Sequence, residues 1–163
     1  FNVALAASIS LAMASISAGA QDAYVIGINS ALTGPGASTV AGAAEGLKLY
    51  IEKLNKSGGI NGRQVKLVVQ DDQGEPSKAA ANAKKLLTQD NVSLLINTSL
   101  SSTFAPMIAE AQRAGVPLLC AGSVCPPDVY PPANEFLFCT TSHSAAHDAR
   151  AEHQNSHSAP FGI

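Results

Sequence analysis

The chain has 163 residues, 46% of them hydrophobic and 13% charged, with a formal net charge of -2. That length can bury a real core, and the composition excludes a disordered or coiled-coil protein. The near-neutral balance and the absence of Trp leave no basic footprint for nucleic acid or an anionic membrane, and few platforms for base stacking.

Residues 1–20 carry no charge and are rich in Ala, Leu, Ile and Ser. They end Ser17-Ala18-Gly19-Ala20, a small-x-small pattern before Gln21-Asp22. This reads as the apolar region and cleavage site of a secretory signal peptide without its basic front. A membrane anchor or a buried helix is the alternative, since about twenty uncharged residues can just span a bilayer. The many small and hydroxyl residues favour cleavage, so the expectation is an exported chain with no stable membrane insertion afterwards.

The next segments alternate. Residues 24–28 form a short apolar strand. Residues 40–54 have apolar residues at helical spacing (Val40, Ala43, Ala44, Leu47, Ile51, Leu54), and the helix stops at Ser57-Gly58-Gly59. Asn61-Gly62 opens a hairpin-like turn into a second strand over 64–70. Residues 77–88 are Ala- and Lys-rich and predict a helix, with Pro76 ahead of it. A third strand follows over 92–97, a hydroxyl loop over 98–103, and a helix over 104–114 with Pro106 in its first turn. Strands over 116–120 and 136–140 complete the pattern, and residues 142–163 predict a poorly ordered tail.

Strand and helix alternate three times, and the strands are short, continuous apolar runs. This predicts an α/β fold with a doubly wound parallel sheet. Ligands of such sheets lie outside the carboxyl ends of the strands, at the switch point. The loops there are residues 29–39, 70–76, 98–103 and 121–125.

Three segments carry a family likeness. They are Leu32-Thr33-Gly34-Pro35-Gly36 with the helix ending Asn55-Lys56-Ser57-Gly58-Gly59-Ile60-Asn61-Gly62; Val68-Val69-Gln70-Asp71-Asp72-Gln73-Gly74-Glu75-Pro76 before an Ala-rich helix; and Ser101-Ser102-Thr103 before a helix and Ala114-Gly115-Val116-Pro117-Leu118-Leu119. Their order resembles type I periplasmic solute-binding proteins of ABC importers, the branched-chain amino acid (Leu/Ile/Val-binding) family. The resemblance covers residues 24–141. It implies two Rossmann-like lobes that close on a solute, of which residues 21–141 would be the N-terminal lobe and the second lobe would be mostly absent. It further implies a periplasmic location, an ABC permease as partner, no cofactor and no catalysis.

The resemblance also implies site residues. In the family, loops after the third and fourth strands hold the ligand carboxylate with hydroxyls and backbone N–H groups. The matching positions are Leu100, Ser101, Ser102 and Thr103, then Gly122, Ser123 and Val124, with Thr39 where the first loop often offers an aromatic. Leu100 stands where the family usually has its first ligand serine, which suggests a solute other than plain leucine, such as an aromatic carboxylate. Independently of the family, Ser101–Thr103 precede a helix whose free N–H groups suit an anion, although Ser and Thr there also serve as ordinary N-caps.

Other features weigh against chemistry. Gly34-Pro35-Gly36 lacks the third Gly of a dinucleotide fingerprint, and Thr39 stands in its place. Asp71, Asp72 and Glu75 are neighbouring carboxylates read here as a solvated turn with an Asp capping Gly74. His143, His147, His153 and His157 have helical pair spacing in a tail predicted to be unstructured, so no specific metal site is expected. No Ser lies in a nucleophile elbow. Of Cys120, Cys125 and Cys139, the pair Cys125–Cys139 flanks a Pro-rich turn and is favoured as a disulfide, with reduced thiols as the alternative. Two rival functions remain open: a sensory ligand-binding domain of the same fold, and a small flavodoxin-like enzyme.

Overall fold

The computed structural model describes residues 23–122, 125 and 134–140. The proposed signal peptide, Ser123, Val124, the four histidines and the tail lie outside them.

The elements are β1 (Tyr24–Ser30), α1 (Ala37–Lys56), β2 (Val65–Asp71), α2 (Pro76–Thr88), β3 (Leu94–Asn97), α3 (Phe104–Ala114), β4 (Leu118–Cys120) and β5 (Leu137–Cys139), with a 3-10 turn at Ser101–Thr103 leading into α3. All five strands are parallel, in the order β2-β1-β3-β4-β5. The doubly wound α/β sheet expected from the sequence is borne out.

Each face of the sheet has its own core. On one side α2 and α3 pack through Ala79, Ala83, Leu86, Met107, Ile108 and Ala111 onto Leu95, Leu118 and Leu137. On the other side α1 covers Ile28 and Ile96 through Ala44. The short side chains of α2 let the helix lie close to the strands. The close packing follows from apolar residues one helical turn apart meeting strands that are apolar on both faces.

Element ends differ from the sequence expectation in an informative way. β1 runs on through Asn29 and Ser30, which are polar yet fully buried. α1 begins at Ala37, one turn earlier than the apolar spacing suggested, on a Gly36 N-cap without a side-chain cap bond. The turn after α1 is a tight one. Ile60 and Arg63 exchange backbone hydrogen bonds of 2.8 and 2.9 Å around Asn61 and Gly62, both at positive φ. The Asn55 side chain then clasps the Val65 backbone with two bonds of 2.8 Å, which fixes the start of β2.

Cys125 and Cys139 are joined by a disulfide with Cα atoms 5.8 Å apart. It ties the segment after β4 to the end of β5, and closing a loop of this size contributes about 3 kcal/mol in the chain-entropy view. Cys120 is buried on β4, in register with Cys139. Among the described residues, no helix is long and apolar enough to cross a membrane.

Candidate functional site

The strand order reverses between β1 and β3, so the switch point lies at the carboxyl ends of these two strands. Asn29 and Asn97 face each other there in register. Both are fully buried, as is Asp72. Asn29 Nδ2 donates to Asp72 Oδ2 at 2.6 Å and to Asn97 Oδ1 at 3.1 Å. Asp72 Oδ1 accepts from Ser99 Oγ at 2.7 Å and from the Gly74 N–H at 2.8 Å. Asn97 Nδ2 donates to Thr103 Oγ1 at 2.9 Å, and the Ser99 N–H donates to Asn97 Oδ1 at 3.1 Å. From α2, Asn82 Nδ2 donates to Asn29 Oδ1 at 3.0 Å and to the Asp71 carbonyl at 3.1 Å.

One polar network therefore fastens the ends of β1 and β3 and the loops after β2 and β3 to each other and to α2. It corrects the reading of Asp72 as part of a solvated turn. Its carboxylate does cap Gly74, but it does so from inside the protein, where burial without partners would be costly.

The residues singled out from the sequence divide into two kinds. Ser101, Ser102 and Thr39 are exposed. Neither the 3-10 turn nor α3 has a side-chain cap bond at its N-terminus, so the serines do not serve as N-caps. Thr103 is fully buried; its hydroxyl donates to the Leu100 carbonyl at 2.7 Å while accepting from Asn97, so it holds the loop in shape. Leu100 is half-buried and acts as a wedge between loops: a Cβ at Gly36 would lie 3.0 Å, and one at Gly74 2.8 Å, from its Cδ1. Gly122 abuts the same region, since a Cβ there would lie 2.7 Å from Phe104 Cζ and 3.2 Å from the Ser99 carbonyl oxygen. The loops after β3 and β4 thus meet at the carboxyl edge. Ser123 and Val124 follow Gly122 outside the described residues. The buried Asn29, Asn97 and Asp72 and the half-buried Asn82 were not anticipated as parts of the site.

Comparison with known proteins fits this geometry. A family model described as periplasmic binding protein matches residues 23–153. The chain belongs to that family. An amino acid binding protein of Pseudomonas aeruginosa is 35% identical over 102 residues, covering 63% of this chain and 27% of its own. A leucine-, isoleucine-, valine-, threonine-, and alanine-binding protein of the same species is 31% identical over 121 residues, covering 74% and 32%. Among solved structures, the branched-chain amino acid transporter substrate binding protein LivJ of Streptococcus pneumoniae, in complex with isoleucine, superposes with a TM-score of 0.68 at 29% identity, covering 74% of this chain and 34% of that one. The chain spans about a third of the length of the relatives it matches.

In this binding-protein lobe, Asp71 secures the loop after β1. Its Oδ2 accepts from Thr33 Oγ1 at 2.5 Å, and its Oδ1 accepts from the N–H groups of Leu32 and Gln73 at 2.9 Å each and of Thr33 at 3.3 Å. Partial burial alone would raise its pKa, but the Thr33 hydroxyl and the backbone donors outweigh it and hold the carboxyl below its ordinary 3.8. A carboxyl with a depressed folded-state pKa contributes stability that is present above the unfolded value and lost as pH falls through the folded one. Asp71→Asn should therefore flatten the acid limb. Urea midpoints compared at pH 6 and pH 3 should fall less in the variant than in the parent, and parallel falls would refute the assignment.

Proposed function

We propose that this chain is the N-terminal lobe of a periplasmic solute receptor for an ABC importer, and that its carboxyl edge forms one wall of a site for a small carboxylate such as an amino acid or an aromatic acid. The observation that carries this reading is the pairing of exposed Ser101 and Ser102 hydroxyls with the open N-terminal end of the 3-10 turn and α3, beside Gly122. Helix N-termini leave backbone N–H groups for an anion, and the peptide dipoles favour negative charge there. The relatives' names support an amino acid as solute.

Thr39 adds an exposed hydroxyl in the first turn of α1, and the sequence continues from Gly122 with Ser123 and Val124, which the family resemblance assigns to the same solute. Leu100 gives the wall an apolar element, which suits an aromatic or branched side chain. The lobe binds its solute without reacting with it, and specificity comes from a few polar groups on a largely apolar surface. Closure of a second lobe would bury the solute, and the closed pair would meet the permease. Export to the periplasm rests on the signal-like residues 1–20.

A thermal-shift panel of carboxylates tests the reading. An acid that binds at a hundredfold excess over Kd stabilises by about 2.7 kcal/mol, an upward shift of several degrees. The corresponding amide, lacking the charge, should give none, and Ser101→Ala with Ser102→Ala should abolish the shift while leaving the unliganded midpoint within about 1 °C, since exposed substitutions of this kind change little. No shift with any carboxylate, or equal shifts with acid and amide, would sink it.

A further inference from the structure

The carboxyl ends of β1 and β3 hold two more hydroxyls, outside the Asp72 network. Ser30 is fully buried and Thr98 is 3% exposed. Among the described residues, neither Ser30 Oγ nor Thr98 Oγ1 has a hydrogen-bond partner. A hydroxyl taken out of water without a partner is costly, and native proteins tolerate few.

The strand ladder sets the two side by side. Asn29 and Asn97 are opposite one another, and the Thr98 N–H continues the ladder by donating to the Asn29 carbonyl at 3.0 Å. Ser30 and Thr98 occupy the next row. Alternation along each strand puts them on the face of Ile28 and Ile96, the face that α1 covers. On one side of this row stands Asp71, paired with Ser30. On the other stands Ala121, whose N–H donates to the Asn97 carbonyl at 2.9 Å. A methyl group at Ala121 leaves more room than any larger side chain would.

We propose that Ser30 and Thr98 together bind one internal water at the switch point, on the α1 side of the sheet. A water offers two donors and two acceptors, and each hydroxyl can give and accept, so a single molecule satisfies both oxygens. The pair is polar, which distinguishes it from the apolar voids that stay dry. The water braces β1 against β3 at their carboxyl ends, on the face opposite the Asp72 network. The site does not depend on which solute the edge takes.

In the full 163-residue chain, Ser30→Ala and Thr98→Val each remove one partner of the water. Each should lower the thermal midpoint by roughly 2–4 °C. The double variant should fall no further than the worse single one, because both lose the same molecule. A midpoint that stays level or rises in Thr98→Val overturns the site, since a hydroxyl sealed dry is better replaced by a methyl; so do fully additive losses. Where the variants fail to fold, water–protein cross-relaxation in NMR on the unaltered chain decides. A long-lived water at the Ser30 and Thr98 protons supports the site, and none at either refutes it.

Discussion

Gly59→Ala should cost about 3 kcal/mol or more, a large fraction of the stability of an ordinary domain. Gly59 sits at φ 75°, where a side chain is strained. A Cβ there would lie 1.9 Å from the Arg63 carbonyl oxygen and 2.6 Å from its carbon, so the obstacle is backbone that cannot rotate aside. Relief requires opening the Ile60–Arg63 turn, and β2 starts only two residues after Arg63. Gly62 supplies the control. It has φ 81° but nothing within 4 Å of its would-be Cβ. Gly62→Ala should therefore cost only about 1 kcal/mol, the conformational part alone. Urea denaturation of the two variants measures both. Equal costs would show that strain at φ and not the clash sets the effect.

The elements were legible because their signals are local. Ala79, Ala83 and Leu86 recur at helical spacing, residues 94–96 are a compact apolar run, and Gly115 takes the left-handed conformation that closes α3. The order of three segments around Gly34, Asp72 and Ser101 was enough to indicate the family. The buried network was less visible because its members are far apart in sequence: Asn29 meets Asp72 across 43 residues and Asn97 across 68. No local window shows such a pairing. Asp71-Asp72-Gln73-Gly74 has the chemistry of a surface turn, and the chain does turn there, with Gln73 and Gly74 both at positive φ. What the turn composition cannot tell is that Asp72 points inward while Asp71 stays near the surface. One signal was available: Asn82 shares the stripe of Ala79, Ala83 and Leu86, and a polar residue on a buried helix face needs a buried partner. Leu100 was matched by position to a ligand contact. Its wedge between Gly36 and Gly74 depends on how the loops fold together, which spacing does not encode.

Asp72→Ala is expected to destabilise the lobe by about 3 kcal/mol or more and to loosen the hydroxyl loop in the same step. The substitution strips the acceptor from Asn29 Nδ2, Ser99 Oγ and the Gly74 N–H together. Asn29 keeps its bond to Asn97, whereas Ser99 and Gly74 lose the acceptor that draws them inward. Each buried donor left alone costs roughly 1–3 kcal/mol, and donors to a carboxylate lie at the upper end. Ser99→Ala removes only one of the three bonds and should cost about 1 kcal/mol, since the donor leaves along with its bond. Asp72→Asn keeps the shape but turns an NH2 group toward donors, so its cost should fall between the two. Urea midpoints rank the series, and amide exchange over residues 98–103 reports the loop. If Asp72→Ala proves no worse than Ser99→Ala, the carboxylate is not the shared anchor. If it is worse and exchange quickens across Ser101 and Ser102, then the geometry of the carboxyl edge is set from within: a single buried carboxylate ties β1 and the loop after β3 to its own loop in the arrangement that exposes two serines, and under the proposed function the affinity for a carboxylate would fall with fold stability in that variant.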